Sequence, residues 1–551
     1  MSENVKRHPM IPPGTLLAVT AVVVLIASLT ALSGCGVGSL PTHEADYDVV
    51  IIGGGLGGLS AGAHLASRGL SVLVLEQHHK AGGCATNFTR GAFVFETSLH
   101  EMNGGGPIDT PGTYALLNGC GVYDKLADKL YRLPDFYRSV YPDGVDITLP
   151  ADWEGWDAAL KERWPDQTEG IDLFHATCEK TFADALGVLD IYRYSPLKAF
   201  LTKAMVPFKH KTLYRWNGRS VQELMDECFT NDDIKAVVSQ LWVYYGPPTN
   251  DLAALELLTA TYAYLTEGAW HIKGTSQAMS DAYVERIRDL GGEVRTGTLV
   301  TKIIIEEGVA RGVQTEFGDT YTARYIVANT DPYQLVFKLI GQENLPKSYV
   351  KKIQGIRPAN SLFGVYLGLN IDLKKLGYTD TEIFKNSARD SAVMYENMMS
   401  GNFKEGGASI TIYTNYGDPI YAPPGKSVLV LHSYCDYDIW PNDRAEYEKM
   451  KQEKANELIS LAATVIPQIG DPANIEVMEV VTPVTINEFT MNYHGIVYGP
   501  AATPDQFLML APSTPIDNVF MASNWNQHGM GPGHLNGFKA ARMILDREGM
   551  D

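Results

Sequence analysis

Apolar positions in this chain fall into short dense runs near its two ends and spread at helical spacing through its middle. Val49 to Ile52 is one such run; glycines follow, then small residues from Leu59 to Ser67, then a second apolar run that ends at Glu76. Short runs bounded by glycine predict buried strands, and the small-residue stretch between them predicts a helix. Helical spacing returns at Leu252 to Leu265, Met279 to Leu290 and Asp443 to Val465. Alternation at Ser361 to Leu369 and Val428 to Tyr434 predicts sheet, Phe317-Gly318-Asp319 a hairpin tip, and Val519 to Met521 a late strand.

The glycines after Ile52 are Gly53, Gly55 and Gly58, in G-x-G-x-x-G spacing. Each has a physical task in a dinucleotide site. Gly53 permits the tight turn, Gly55 lets a diphosphate approach the backbone, and Gly58 lets the helix pack close to the sheet. The helix N-terminus then stabilises phosphate charge, and Glu76 at the end of the second strand accepts hydrogen bonds from a ribose. A glycine turn alone is weak evidence; strand, helix, second strand and acid in this order make it specific. No second fingerprint of this kind occurs between Leu116 and Thr266, where aromatic residues and leucines recur as in a lid or substrate domain.

At 551 residues the chain exceeds one ordinary core. A formal net charge of -19 argues against nucleic acid as a partner. Against that acidic background, residues 196–216 interleave Lys198, Lys203, Lys209, Lys211 and Arg215 with Phe200, Met205, Phe208, Tyr214 and Trp216. Such a segment can dock on an anionic membrane or form an amphipathic helix that covers the core. Pro207 favours the second reading, because proline interrupts a continuous helix. Apart from Cys35, the cysteines Cys84, Cys120, Cys178, Cys228 and Cys435 have irregular spacing without C-x-x-C, so each is expected as a buried small hydrophobe. No metal-ligand cluster is present in the sequence, and His432 stands alone.

The N-terminus reads as a targeting segment. Lys6 and Arg7 precede the apolar stretch Leu16 to Leu29, and Leu32-Ser33-Gly34-Cys35 follows. This resembles a bacterial lipoprotein signal, which implies cleavage before Cys35 and acylation of that cysteine. The other reading is an uncleaved anchor helix; both export the body of the protein and tie it to a membrane of the bacterial envelope. Residues 36–46 then form a polar tether.

After Glu76, Ala81-Gly82-Gly83 and then Phe93 to His100 resemble the flavoprotein family of phytoene desaturases, carotenoid isomerases and retinol saturases. Within it, Glu96 and Ser98 stand where Asp and Gly are usual. The resemblance continues through Gly274, Thr298, Val300 and Ile303, the stretch Tyr325 to Pro332, Thr482-Pro483, Gly495 to Gly499, and Gly531-Pro532-Gly533. It implies FAD, with Gly82 and Gly83 along the diphosphate and Val300 giving backbone hydrogen bonds to the adenine. It also implies Asn524 near the ribitol, and Gly531 and Gly533 opening a helix toward the flavin ring. Asn329 and Asp331 are expected to hold their turn through bonds to backbone rather than to touch the cofactor. The candidate catalytic residues are His528, His534 and His100.

The fold class that follows is α/β: an FAD-binding Rossmann-like, three-layer domain from 47–115, 267–340 and 481–551, with an inserted α+β substrate domain from 116–266 and 341–480 whose sheet floors the cavity. The expected activity is that of an FAD-dependent oxidoreductase desaturating or saturating carbon-carbon bonds of an apolar polyene, isoprenoid or retinoid-like lipid. A quinone or other membrane carrier would exchange electrons, since a nicotinamide domain is lacking. The alternatives are a redox-neutral double-bond isomerase, an amine oxidase, and a non-catalytic lipid-binding flavoprotein of the envelope.

Overall fold

The computed structural model describes residues 45–107, 112–188, 191, 196–506, 510–526 and 530–550. The leader with Cys35 and the loop carrying His528 lie outside the described residues.

Two seven-stranded sheets organise the chain. In the first, Tyr47–Ile52 lies between Val72–Leu75 and Thr320–Ala328 and is parallel to both, while Glu293–Arg295 extends the parallel edge. Val519–Met521 pairs in parallel with the C-terminal end of Thr320–Ala328. The N-terminal end of that long strand turns antiparallel into Val309–Thr315 and Val300–Glu306, around the exposed tip at Phe317. Both faces of the central strands are buried, which explains why their sequence is continuously apolar. Val49, Ile51, Val72 and Val74 face one core, and Val50, Ile52, Leu73 and Leu75 face another.

Three helices cover the first of those faces: Leu56–Ser67, Thr275–Asp289 and Met530–Glu548. The first begins at Leu56, three residues earlier than the small-residue stretch suggests, because Gly57 and Gly58 are part of it. These glycines are required by packing. A Cβ on Gly57 would stand 2.1 Å from the Ala522 carbonyl oxygen, and one on Gly537 would stand 2.0 Å from the Gly57 carbonyl oxygen. The first and last helices of the domain therefore touch backbone to backbone.

The second sheet runs Ile475–Val481, Ser361–Leu369, Ser427–Cys435, Gly407–Ile412, Glu382–Asn386, Asp135–Val140, Asp146–Pro150. All its pairs are antiparallel except Glu382–Asn386 with Asp135–Val140. Alternation divides its faces: Phe363, Val365, Leu429 and Leu431 pack in a core with Leu458 of the Arg444–Ala462 helix, and Tyr366, Val430 and Tyr434 join the opposite core. Helices Thr168–Leu186 and Ala254–Glu267 pack together, and Phe174, Leu257 and Leu258 carry them into that opposite core.

Two sequence expectations are corrected. Pro207 does not end its helix, which runs from Pro196 to Lys209 with the proline inside it. Four large apolar side chains of this helix are exposed rather than laid on the core. The tether also stops short of residue 46: the Asp46 carboxylate accepts from the Thr322 backbone N–H at 3.1 Å and its hydroxyl at 2.8 Å, so Asp46 is fastened to the first sheet.

Replacing Gly537 by alanine forces the two helices apart. We expect a loss of about 1–3 kcal/mol, the usual range for overpacking, read as a lowered thermal unfolding midpoint. Alanine at Gly533, whose Cβ position is open, is expected to leave the midpoint nearly unchanged.

Candidate functional site

Between the sheets lies one continuous cavity of about 1160 Å³, lined by residues of both. Its first end is a glycine cradle. Gly53 has φ +93°, in the left-handed region that glycine tolerates, and a Cβ on Gly55 would lie 2.5 Å from Asn329 Oδ1. The Leu56–Ser67 helix starts there with no capping side chain and no acid in its first turn, so its N–H groups remain available for anionic oxygen. Gly82 docks on this turn by donating its N–H to the Gly54 carbonyl at 2.8 Å, and a Cβ on Gly83 would be 3.2 Å from Gly55 Cα.

Glu76 lines the cavity beside the cradle and is nearly buried. Its carboxylate accepts from the Gly54 N–H at 2.6 Å and the His78 N–H at 2.8 Å, which fixes both oxygens in place. Each oxygen keeps a lone pair for a hydroxyl. Val300, with Thr298 and Leu299, lines the same end. Gly58 is behind the turn, where a Cβ would meet the Gly53 carbonyl oxygen at 2.2 Å. Asn329 donates from Nδ2 to the Ala522 carbonyl at 2.6 Å, and Asp331 accepts from the Gln334 and Tyr493 N–H groups; both side chains tie backbone together. Asn524 lines the cavity and donates to the Val497 carbonyl at 2.6 Å. Gly533 also lines it, in the first turn of the helix Met530–Glu548.

The other end is an aromatic chamber. Leu99, Met102, Tyr244, Tyr264, Phe384 and Tyr498 are among its lining residues. Polar groups interrupt it at the Gln240–Asn386 pair, joined at 2.8 Å, and at a cluster around His100. His100 Nδ1 lies 2.9 Å from Glu382 Oε2 and 2.9 Å from Thr411 Oγ1, and the Thr411 hydroxyl donates to that same Glu382 oxygen at 2.6 Å. On the far side of the ring, His100 Nε2 lies 3.3 Å from His432 Nδ1, with the two imidazoles stacked at 5.4 Å.

Burial works against charge on His100, but the Glu382 carboxylate outweighs it and holds the imidazole pKa above its ordinary value. His432 is pushed down to about 3 by burial and by the neighbouring His100, so it stays neutral. Burial, reinforced by Glu382, raises the Glu101 pKa well above the carboxylate range.

His534 has another setting. It is wholly buried beside Tyr283 at 5.4 Å between ring centres, with neither ring nitrogen hydrogen-bonded, and burial lowers its pKa to about 4. It does not line the cavity, whereas its neighbours Gly533 and Leu535 do. Cys84, expected as a buried hydrophobe, is exposed, and its surface opens into the cavity. Glu101, Glu382, Thr411 and Gly364 carry no local motif. His432 had a signal: the alternation from Val428 to Tyr434 puts it on the same face as Tyr434 and across from Gly364, where a Cβ would crowd its ring at 3.0 Å.

A dinucleotide cradle opening onto an apolar chamber is the arrangement of a flavoprotein, and the sequence pattern of flavin containing amine oxidoreductases matches residues 56–545. The chain belongs to that family. It is a flavin-dependent oxidoreductase with an α/β fold. Among relatives, all-trans-retinol 13,14-reductase of Danio rerio is 23% identical over 509 residues, covering 86% of this chain and 82% of its own. Prolycopene isomerase 1 of an Oncidium hybrid cultivar is 24% identical over 487 residues, covering 86% and 79%. An engineered triple mutant of putrescine oxidase shares the fold with a TM-score of 0.61 at 14% identity, covering 92% of this chain and 99% of that one.

The residues present fit FAD. Gly53, Gly55, Gly82 and Gly83 let two turns pack closely and line the cavity with backbone that can meet a diphosphate, Glu76 presents fixed acceptors for a ribose, and Asn524 and Gly533 stand farther along the same wall. Replacing Gly55 by alanine drives a Cβ into Asn329 Oδ1 and displaces the turn that would meet the diphosphate. The purified variant is expected to lose its visible flavin absorption while its far-ultraviolet circular dichroism stays that of the wild type.

Proposed function

We propose that this flavoenzyme desaturates or saturates carbon-carbon double bonds of an apolar polyene, isoprenoid or retinoid-like lipid. The carrying observation is the single cavity, in which the glycine cradle is continuous with an aromatic chamber whose polar cluster centres on the His100–Glu382 pair. The relatives named for retinol reduction and prolycopene isomerisation support a substrate of this class. FAD bound in the cradle would supply hydride transfer. The chain's own part is to exclude water, to align an extended apolar chain between aromatic rings, and to hold a proton at His100. Glu382 favours the imidazolium, Thr411 fixes the carboxylate, and neutral His432 fixes the other edge of the ring. In saturation the His100 Nε2–H, whose contact with His432 Nδ1 is long at 3.3 Å, gives its proton to carbon; in desaturation Nε2 accepts one.

An amine substrate fits less well. Of the carboxyl groups nearest the centre of the chamber, Glu382 is engaged by His100, and burial disfavours the charged form of Glu101 that would pair with an ammonium group. A redox-neutral double-bond isomerase uses the same chamber and is the second reading, supported by the prolycopene isomerase relative. On the leader's pattern, the protein is an exported lipoprotein of the bacterial envelope, acylated at Cys35 and held close to its lipid substrate. The single dinucleotide fingerprint supports a quinone or similar membrane carrier as electron partner.

Adding unsaturated apolar lipids anaerobically to the holoenzyme tests this reading. Oxidised or reduced flavin is expected to change redox state, with product gaining or losing a hydrogen pair. Product of unchanged mass would select the isomerase, and a flavin silent toward every such lipid would reject the proposal.

The proton role has its own signature. Removing the Glu382 charge lowers the His100 pKa, so in Glu382→Gln the pH limb assigned to His100 moves to lower pH, whether His100 acts as acid or base. His100→Gln is expected to lower turnover by about 10²–10⁴-fold, the range of general acid-base catalysis, with flavin content unchanged.

A further inference from the structure

The helix Pro196–Lys209 carries an apolar stripe that the protein leaves uncovered. Leu197 is 69% exposed, Leu201 54%, Met205 41% and Phe208 70%, and Ala204 is exposed between them. At 100° per residue these five positions fall within an arc of about 100°. Exposed Lys198 and Lys209 flank the stripe on one side, and exposed Lys203 lies on the back of the helix. Lys211, Tyr214 and Arg215 of the adjoining helix, Lys211–Trp216, are exposed too, while buried Trp216 roots the pair of helices in the core.

We propose that this face docks the protein on an anionic lipid bilayer, lying in the interface plane. Every formally charged residue between 196 and 216 is basic, in a chain whose net charge is -19. A narrow apolar stripe edged by lysines is the pattern of a helix that buries one face among acyl chains while its ammonium groups reach the headgroups. The helix has 14 residues, about 21 Å, too short to cross a hydrocarbon core of about 30 Å. A second copy is disfavoured as the occupant, because a two-fold contact would set these lysines against one another between two acidic chains. The partner helix Lys211–Trp216 packs on Thr168–Leu186, which contributes Phe182 to the cavity wall. Docking would therefore place this flank of the chamber next to the bilayer from which a lipid enters. The inference stands on the exposed face and holds whichever reaction the chamber performs.

Two variants of the full chain, Phe208→Trp and Leu201→Trp, test it. Each adds one indole at an exposed position to the eight present, so the new residue carries roughly a ninth of the emission. The chains are reconstituted with vesicles of phosphatidylcholine alone or with phosphatidylglycerol, using lipids with brominated acyl chains. The expected result is extra quenching of both variants, relative to wild type, by the anionic vesicles. It should weaken as salt rises and in the added double substitution Lys203→Glu, Lys209→Glu. A lipid anchor without this docking gives the same quenching in wild type and variants, and that equality would overturn the proposal. So would a blue shift of the variants that follows protein concentration without vesicles, which would mean that a second copy covers the face.

Discussion

The close approach of backbone to backbone around the first glycine turn governs the rest of this structure. Gly57 and Gly537 let the first and last helices of the cofactor domain touch, and Gly82 and Gly83 lay a second turn on the first. Side chains are absent where a diphosphate must pass, so the N-terminus of the Leu56–Ser67 helix faces the cavity without competition from its own chain. Glu76 is positioned by the same turn through the Gly54 N–H. Cofactor binding is thus a property of main-chain packing more than of any one side chain.

The chamber obeys a different constraint, the cost of charge in an apolar enclosure. Burial opposes the imidazolium of His100, disfavours the charged form of Glu101 and keeps His432 neutral. Only where a carboxylate and an imidazole meet, at Glu382 and His100, is the charged state favoured. The chamber can therefore hold a charged proton-exchanging centre among largely apolar walls. A polyene, which offers no polar group along most of its length, suits such a wall.

Much of the cofactor domain was legible in sequence because its strands are buried on both faces and its glycines sit at fixed spacing. The order of strand, turn, helix and strand, the late strand Val519–Met521, and the sheet strands Ser361–Leu369 and Ser427–Cys435 all follow from local pattern. The substrate side was not legible in the same way. His100, Glu382, Thr411 and His432 come from four separated segments: strand register brings the last three together, and His100 reaches them from a bend outside that sheet. No spacing rule links them. Pro207 misled for a related reason: tertiary setting can hold a helix through a proline when the carbonyl it orphans reaches solvent. His534 misled because the helical turn that brings Gly533 to the cavity points the next side chain into the core.

The central claim is that flavin and an unsaturated apolar lipid occupy one cavity with His100 at the reacting carbon. The structure of the FAD-loaded protein with such a lipid bound tests it most directly. The account predicts the lipid in the aromatic chamber, lying between the flavin ring and His100, with a double-bond carbon within reach of the imidazole. A lipid bound elsewhere, or a chamber in which His100 faces away from every double bond, would contradict it.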